Sequence, residues 1–161
     1  MTIEQKLDKK ISLLFKPKAK TKAEERLRKG LTYSQFLSDK MLMISLIRNG
    51  VPYSLFDLIK SSAPFSEGDW AAFLDMSTKS LQRYKQGAKN FKPIHSEKII
   101  EMAEVTNFGK DVFGDEGKFK LWLNTPSFAL GGERPVDLLR DSYGKELVMG
   151  EIHRIAHGIL V

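Results

Sequence analysis

His153 and His157 stand four residues apart near the C-terminus with Glu151 beside them, the one spacing in this chain that could hold a metal ion. Two imidazoles at i and i+4 on one helix face can share a zinc ion. A metalloprotease signature needs its glutamate between the histidines, whereas Glu151 lies outside the pair, and His95 is too far along the chain to be an evident third ligand. No metal is expected. Glycines offer a second chemistry, because bare backbone N–H groups can cradle a phosphate where a strand turns into a helix. Gly131-Gly132 and Gly144 sit between expected helices, so turn chemistry is the better reading of all three. The serines and threonines lack a glycine-flanked nucleophile elbow and a base with its orienting partner. No catalytic residue and no cofactor is expected, and a small hydrolase or metal enzyme is the weakest of the readings.

Binding chemistry is better represented. Between Ser77 and Lys89 there are four basic residues, Lys79, Arg83, Lys85 and Lys89, and no acid. The run from Trp70 to Gly87 has the layout of a helix-turn-helix, with small Ala71 and Ala72 where two helices cross. Met76 is expected to plug the turn, and Leu81 and Tyr84 to pin the second helix. Asp75 occupies the position where such turns usually carry glycine, and aspartate tolerates the left-handed conformation better than most residues. Ser77 caps the second helix, leaving Thr78, Lys79, Gln82, Arg83, Lys85 and Gln86 outward, with Lys89 just beyond. Glutamine suits adenine edges, arginine suits guanine, and lysine and serine suit phosphates, so the helix fits a DNA major groove. A plain solvated basic helix is the competing account.

The elements that must position these residues read as helices throughout. Phe36, Leu37, Met41, Ile44, Leu46 and Ile47 recur at helical spacing until Asn49-Gly50 stops the run. Pro52 opens the next helix, and Leu55, Leu58 and Ile59 give it a buried stripe. Ser66 is a good N-cap before Glu67 and Asp69, with Trp70, Phe73 and Leu74 as the apolar face. Gly87 is the expected stop of the recognition helix. A longer helix runs from about His95 to Val112 through Ile99, Ile100, Ala103 and Val105. Arg-Pro-Val-Asp-Leu-Leu (134–139) opens a further helix, and another follows Gly144 to His157-Gly158. No stretch alternates with period two, so the fold class is all-α.

The totals set the frame. A 161-residue chain can bury about 70% of its unfolded surface without staples. Cysteine is absent, which excludes disulfides and thiolate metal sites and suits a reducing cytoplasm. The longest apolar run, Met41–Ile47, falls well short of the about 20 residues of a membrane span, and no signal peptide is evident. A soluble cytoplasmic protein with no membrane contact is expected. The net charge of +6 is uneven: residues 1–30 hold ten Lys/Arg against four acids, and residues 91–161 nine against eleven. A basic front and an acidic back suggest two surfaces with different partners. The first residues read as a mobile arm in which Ile11, Leu13, Leu14 and Phe15 form one short helical turn; DNA contact and a merely solvated tail both remain open for it.

The stretch from Phe108 to Val161 carries Trp122-Leu123, Thr-Pro, a Gly-Gly turn, the Arg-Pro-Val-Asp-Leu-Leu helix start and a last helix ending at His157-Gly158. In this order the parts resemble the toxin-binding domain of the Xre/MbcA/ParS antitoxins. Ile47-Arg-Asn-Gly-Val-Pro52, Leu81-Gln-Arg83 and Val112-Phe-Gly114 extend the resemblance upstream, to about residues 44–161. The nearest type is the Xre antitoxin that partners a RES-domain toxin. The resemblance implies a basic flexible arm (1–32), an Xre-like helix-turn-helix DNA-binding domain (33–106) and a small helical toxin-binding domain (107–161). It implies a cognate RES-domain, NAD⁺-degrading toxin as partner, binding to the protein's own operator DNA, a homodimer, and a hetero-oligomeric complex with the toxin.

The tail His157-Gly158-Ile159-Leu160-Val161 would then block the toxin's NAD⁺ cleft, with Arg134, Asp137, Arg154 and His157 as polar groups at the interface. Plainer accounts exist for several residues. Asp137 suits a helix N-terminus after Pro135. Trp122, Leu138, Leu139, Leu147, Val148, Ile152 and Ile155 are expected as core. The alternative function is a stand-alone helix-turn-helix transcription regulator whose C-terminal module only dimerises.

Overall fold

Spacing of apolar residues at three and four makes helices, and every element of the computed structural model, which describes residues 1–15 and 30–158, is helical. They are α1 (Ile3–Phe15), α2 (Tyr33–Leu37), α3 (Lys40–Asn49), α4 (Tyr53–Ser62), α5 (Glu67–Phe73), α6 (Thr78–Gly87), α7 (Pro93–Phe113), α8 (Glu116–Leu123), a 3₁₀ turn (Phe128–Leu130), α9 (Pro135–Leu138) and α10 (Ser142–Ala156). Among the described residues there is no strand, only one isolated bridge between Pro52 and Asn90. The chain forms two compact units, one of Met1–Ala63 with Tyr84–Ile100, the other of Pro64–Arg83 with Glu101–Val161.

In the first unit, α1 packs on α2 and α4. The expectation of one short turn near Ile11 understates what forms. Leu7 and Ile11 lie one helical turn apart and are both buried, so a 13-residue helix forms around them. Asp8 Oδ1 accepts the Tyr33 N–H at 2.8 Å, linking α1 to the start of α2. The segment from residue 16 to residue 29 lies outside the described residues. Asp39 caps α3 by accepting from Met41 and Leu42 N–H, and Gly50, at φ 90°, ends it. Glycine is needed there twice over, since a Cβ would also sit 2.5 Å from the Phe91 carbonyl oxygen.

That close approach lets Phe91 N–H donate to Val51 O at 2.9 Å, while Val51 N–H donates to the buried Ser96 Oγ at 2.8 Å. Ser96 Oγ in turn donates to Phe91 O. Around this knot Tyr53, Phe56, Tyr84 and Phe91 form a ring cluster, tightest between Tyr84 and Phe91 with centroids 4.5 Å apart.

In the second unit, Ser66 and Asp69 form a reciprocal capping box that starts α5. Trp70, Phe73 and Phe65 pack edge to face behind it. The C-terminal part of α7 buries Met102, Ala103 and Val105. Gly109 leaves room for Phe119, whose ring would lie 2.0 Å from a Cβ at that position. Phe113 and Trp122 complete the stack on Phe119. Trp122 is half-buried rather than fully in the core.

Helix α10 is longer at its N-terminus than the sequence suggests. Asp141 caps it by accepting the Gly144 N–H at 2.8 Å, so Gly144 lies inside the first turn rather than in a loop before it. The reason for glycine there is contact: a Cβ would fall 1.7 Å from the Leu138 carbonyl oxygen. Gly131 and Gly132, at φ 72° and 82°, are turn glycines as expected.

Candidate nucleic-acid and partner-binding interfaces

The helix-turn-helix is built from local chemistry. Helix α5 closes with Asp75 N–H donating to Ala72 O and Met76 N–H to Ala71 O. Asp75 takes the left-handed conformation (φ 50°) that reverses the chain. Met76 is half-buried in the turn, and Ser77 Oγ accepts from Ser80 N–H at 3.1 Å, capping α6. Leu81 is buried. Tyr84 is half-buried, and its closest ring partner is Phe91, which follows the helix.

The outward residues are where the pattern of apolar positions requires. In the second unit Ser77, Thr78, Lys79, Gln82 and Arg83 are exposed; in the first unit Lys85, Gln86 and Lys89 are exposed. Thr78 through Gln86 ride on the one continuous helix α6. The reversal after it differs from expectation. Gly87 is still helical, and Ala88 carries the positive φ of 47°.

The C-terminal module is shaped by α7, α8, α9 and α10. Leu139, Val148 and Ile152 are buried and Leu138 half-buried, as core residues should be. Leu147 and Ile155 are not core: both are exposed, Leu147 by 58%. The buried stripe of α10 is narrower than its apolar positions suggest, because an apolar side chain beside that stripe need not meet a neighbour. Lys145 Nζ reaches Glu104 Oε1 at 3.3 Å, tying α10 to α7.

The residues expected to meet a partner divide into two groups. Arg134 and Asp137 bind each other in a two-pronged pair, Nε to Oδ2 at 2.8 Å and Nη2 to Oδ1 at 3.0 Å. That hydrogen bond, with the charge of Asp137, holds the guanidinium pKa above its ordinary value. Arg154 and His157 instead lie beside an open groove of about 600 Å³, lined also by Phe108, Met149, Gly150 and His153. Arg154 leans on Glu151 at 3.5 Å. His153 and His157 meet edge to face with ring centroids 4.7 Å apart, and His153 also meets Phe108.

Gly158, at φ 67°, ends α10 with its N–H donating to Ile155 O. Ile159, Leu160 and Val161 lie outside the described residues. Among the described residues no group of three or more metal-binding side chains gathers, and no helix is long and apolar enough to cross a membrane. One exposed residue carries no signal in the sequence. Phe128, at the foot of the Gly-Gly turn, is 99% exposed, and only its place in a folded loop reveals this.

Fold and surface together define a helical protein with a helix-turn-helix and a C-terminal group of helices. Residues 42–104 match the antitoxin Xre-like helix-turn-helix domain family, and residues 109–158 match the antitoxin Xre/MbcA/ParS C-terminal toxin-binding domain family. Two curated relatives point the same way. Antitoxin Xre of Photorhabdus laumondii subsp. laumondii is 29% identical over 117 residues, 72% of this chain and 79% of the relative. Antitoxin Xre of Yersinia enterocolitica is 29% identical over 119 residues, 73% of this chain and 80% of the relative. The chain is thus similar to the Xre/MbcA/ParS antitoxins in two successive domains, an Xre-like helix-turn-helix domain and a C-terminal toxin-binding domain.

Proposed function

We propose that this antitoxin neutralises a RES-domain toxin that degrades NAD⁺, and that it represses its own promoter as a homodimer in the cytoplasm. The observation that carries the reading is the joining, on one chain, of an exposed, acid-free recognition helix to a module matching a toxin-binding domain. Each half supports a different task. Thr78, Lys79, Gln82, Arg83, Lys85 and Gln86 offer base-reading and phosphate-binding groups along α6, with Ser77 and Lys89 at its ends. A dimer would set two such helices on half-sites about one DNA turn apart.

In the C-terminal module, the end of α10 presents Arg154, His157 and Gly158 at the surface. The segment that follows, Ile159-Leu160-Val161, enters the toxin's NAD⁺ cleft and excludes the dinucleotide. Inhibition is steric and needs no chemistry from the antitoxin, which has no catalytic role. Arg134 and Asp137 serve the interface as a braced pair rather than as two separate charges.

The test is cellular NAD⁺ and growth in bacteria expressing the product of the adjacent gene alone, with the full antitoxin, or with the antitoxin cut after Gly158. That cut keeps the cap of α10 and removes only the last three residues. The reading expects collapse of NAD⁺ with the adjacent gene alone, rescue by the full chain and no rescue by the cut chain. A harmless adjacent gene product, or full rescue by the cut chain, overturns the toxin assignment or the plugging tail respectively.

A further inference from the structure

We infer that Phe128 is the apolar anchor by which this antitoxin grips its toxin, seated in a pocket on the toxin surface wide enough for a phenyl ring. The inference rests on the toxin-binding reading above and adds a residue and a mode of recognition to it. Among the described residues the two most exposed large apolar side chains are both aromatic, Phe128 at 99% and Tyr143 at 82%. Both fall within the stretch matched to the toxin-binding domain. An exposed aliphatic residue is ordinary on a protein surface, but a phenyl ring held wholly in water contributes nothing to its own fold. Phe128→Ala therefore removes no folded contact.

The loop beneath the ring is rigid. Leu130 N–H and Gly132 N–H both donate to Ser127 O, at 3.1 and 2.8 Å, and Gly131 N–H donates to Phe128 O at 3.1 Å. Ser127 N–H donates to Glu133 O at 3.0 Å, closing the loop at its base. Gly131 and Gly132 supply the two left-handed residues this closure requires. Leu130 within the loop and Pro135 and Val136 just after it are buried, so the loop is anchored in the core. The Arg134–Asp137 pair braces the exit.

A ring displayed on so closed a loop loses little freedom when it is buried by a partner, which is the condition for an energetic hot spot. The 3₁₀ turn packs on α10, whose exposed Tyr143 and Leu147 lie four residues apart on one side of that helix. The turn that carries the ring thus packs on the helix that carries these two exposed apolar side chains.

The experiment measures binding of the purified adjacent gene product to the full antitoxin, to Phe128→Ala and to Phe128→Leu, with urea unfolding and promoter binding as controls. Loss of a central aromatic anchor is expected to weaken toxin binding by about 30-fold or more in Phe128→Ala, with part of the loss recovered in Phe128→Leu. Unfolding midpoint and promoter affinity stay unchanged. Toxin binding by Phe128→Ala within about twofold of wild type overturns the inference while leaving the toxin reading in place. Unchanged toxin binding with conversion of a dimer to a monomer overturns it in favour of a second copy of the chain as the occupant. If the wild-type antitoxin itself binds no toxin, the proposed function falls, and the anchor with it.

Discussion

Substituting Gly144 by alanine tests whether contact, and not turn conformation, requires glycine at the start of α10. A Cβ there would lie 1.7 Å from Leu138 O, 2.6 Å from Leu138 C and 3.0 Å from Asp141 Oδ1. Two of these atoms are backbone and cannot rotate away, so α10 must retreat from the end of α9 by over an ångström. Overpacking of that kind costs roughly 1–3 kcal/mol. The retreat also strains the Asp141 cap on Gly144 N–H, an interaction of about 1 kcal/mol. Alanine's better helix propensity offsets roughly 0.5–1 kcal/mol. The net loss is about 1–3 kcal/mol, or a fall in Tm of roughly 3–10 °C for a chain of this size.

Gly150, in the same helix and with nothing within 4 Å of its missing Cβ, is the internal control. Gly150→Ala should raise stability by about 0.5–1 kcal/mol. Tryptophan fluorescence in urea reads the relevant unit alone, because both tryptophans, Trp70 and Trp122, belong to it. If Gly144→Ala unfolds at or above the wild-type midpoint, or if both variants shift the same way, the contact argument is wrong.

Four other outcomes follow from the same structure. Ala88→Gly should stabilise the protein by roughly 0.5–1 kcal/mol, since Ala88 holds a left-handed conformation that glycine adopts freely; thermal unfolding by circular dichroism checks it. Ser96→Ala should destabilise by about 1–3 kcal/mol by orphaning the buried Val51 N–H, read as a lower urea midpoint. Burial pushes the Tyr33 phenol well above its ordinary value, so the stability it lends is complete below about pH 10 and drains away as pH rises beyond that. Urea midpoints between pH 8 and 11 should fall less steeply in Tyr33→Phe than in wild type. The double substitution Lys79→Ala, Lys85→Ala should reduce the log–log salt slope of promoter binding by about 2 per protomer, or nearly 4 for the proposed dimer, measured by fluorescence anisotropy across a salt series; an unchanged slope would take these lysines off the phosphates.

What could be read from sequence is the local chemistry. Ser66, Ser77 and Asp75 announce caps and a left-handed turn because their side chains or backbones act on residues within three positions. Gly50 ends a helix for the same local reason, although its second role, making room for the Phe91 carbonyl, depends on a residue over forty positions away. Ile155 shows the limit. Its spacing of three and seven from buried Ile152 and Val148 suits a core face, yet exposure is decided by which neighbour arrives, and among the described residues none covers it fully. Gly144 fails for a similar reason, since a glycine before an apolar run looks like a turn until the carbonyl pressed against it is known. Helix α1 was hidden by the lysines around it, although Leu7 and Ile11 alone are enough to seat it. For the outward face of α6 the local pattern suffices: one buried leucine and one half-buried tyrosine leave Thr78, Lys79, Gln82, Arg83, Lys85 and Gln86 to solvent.

The two units alternate along the chain, the first unit's segments at Met1–Ala63 and Tyr84–Ile100 enclosing and preceding those of the second at Pro64–Arg83 and Glu101–Val161. No single backbone cut can therefore part the two units with both left whole. A nick between residues 64 and 100 leaves at least one unit divided between two fragments. One proteolytic event in that window would therefore break into a unit instead of trimming off a spare module.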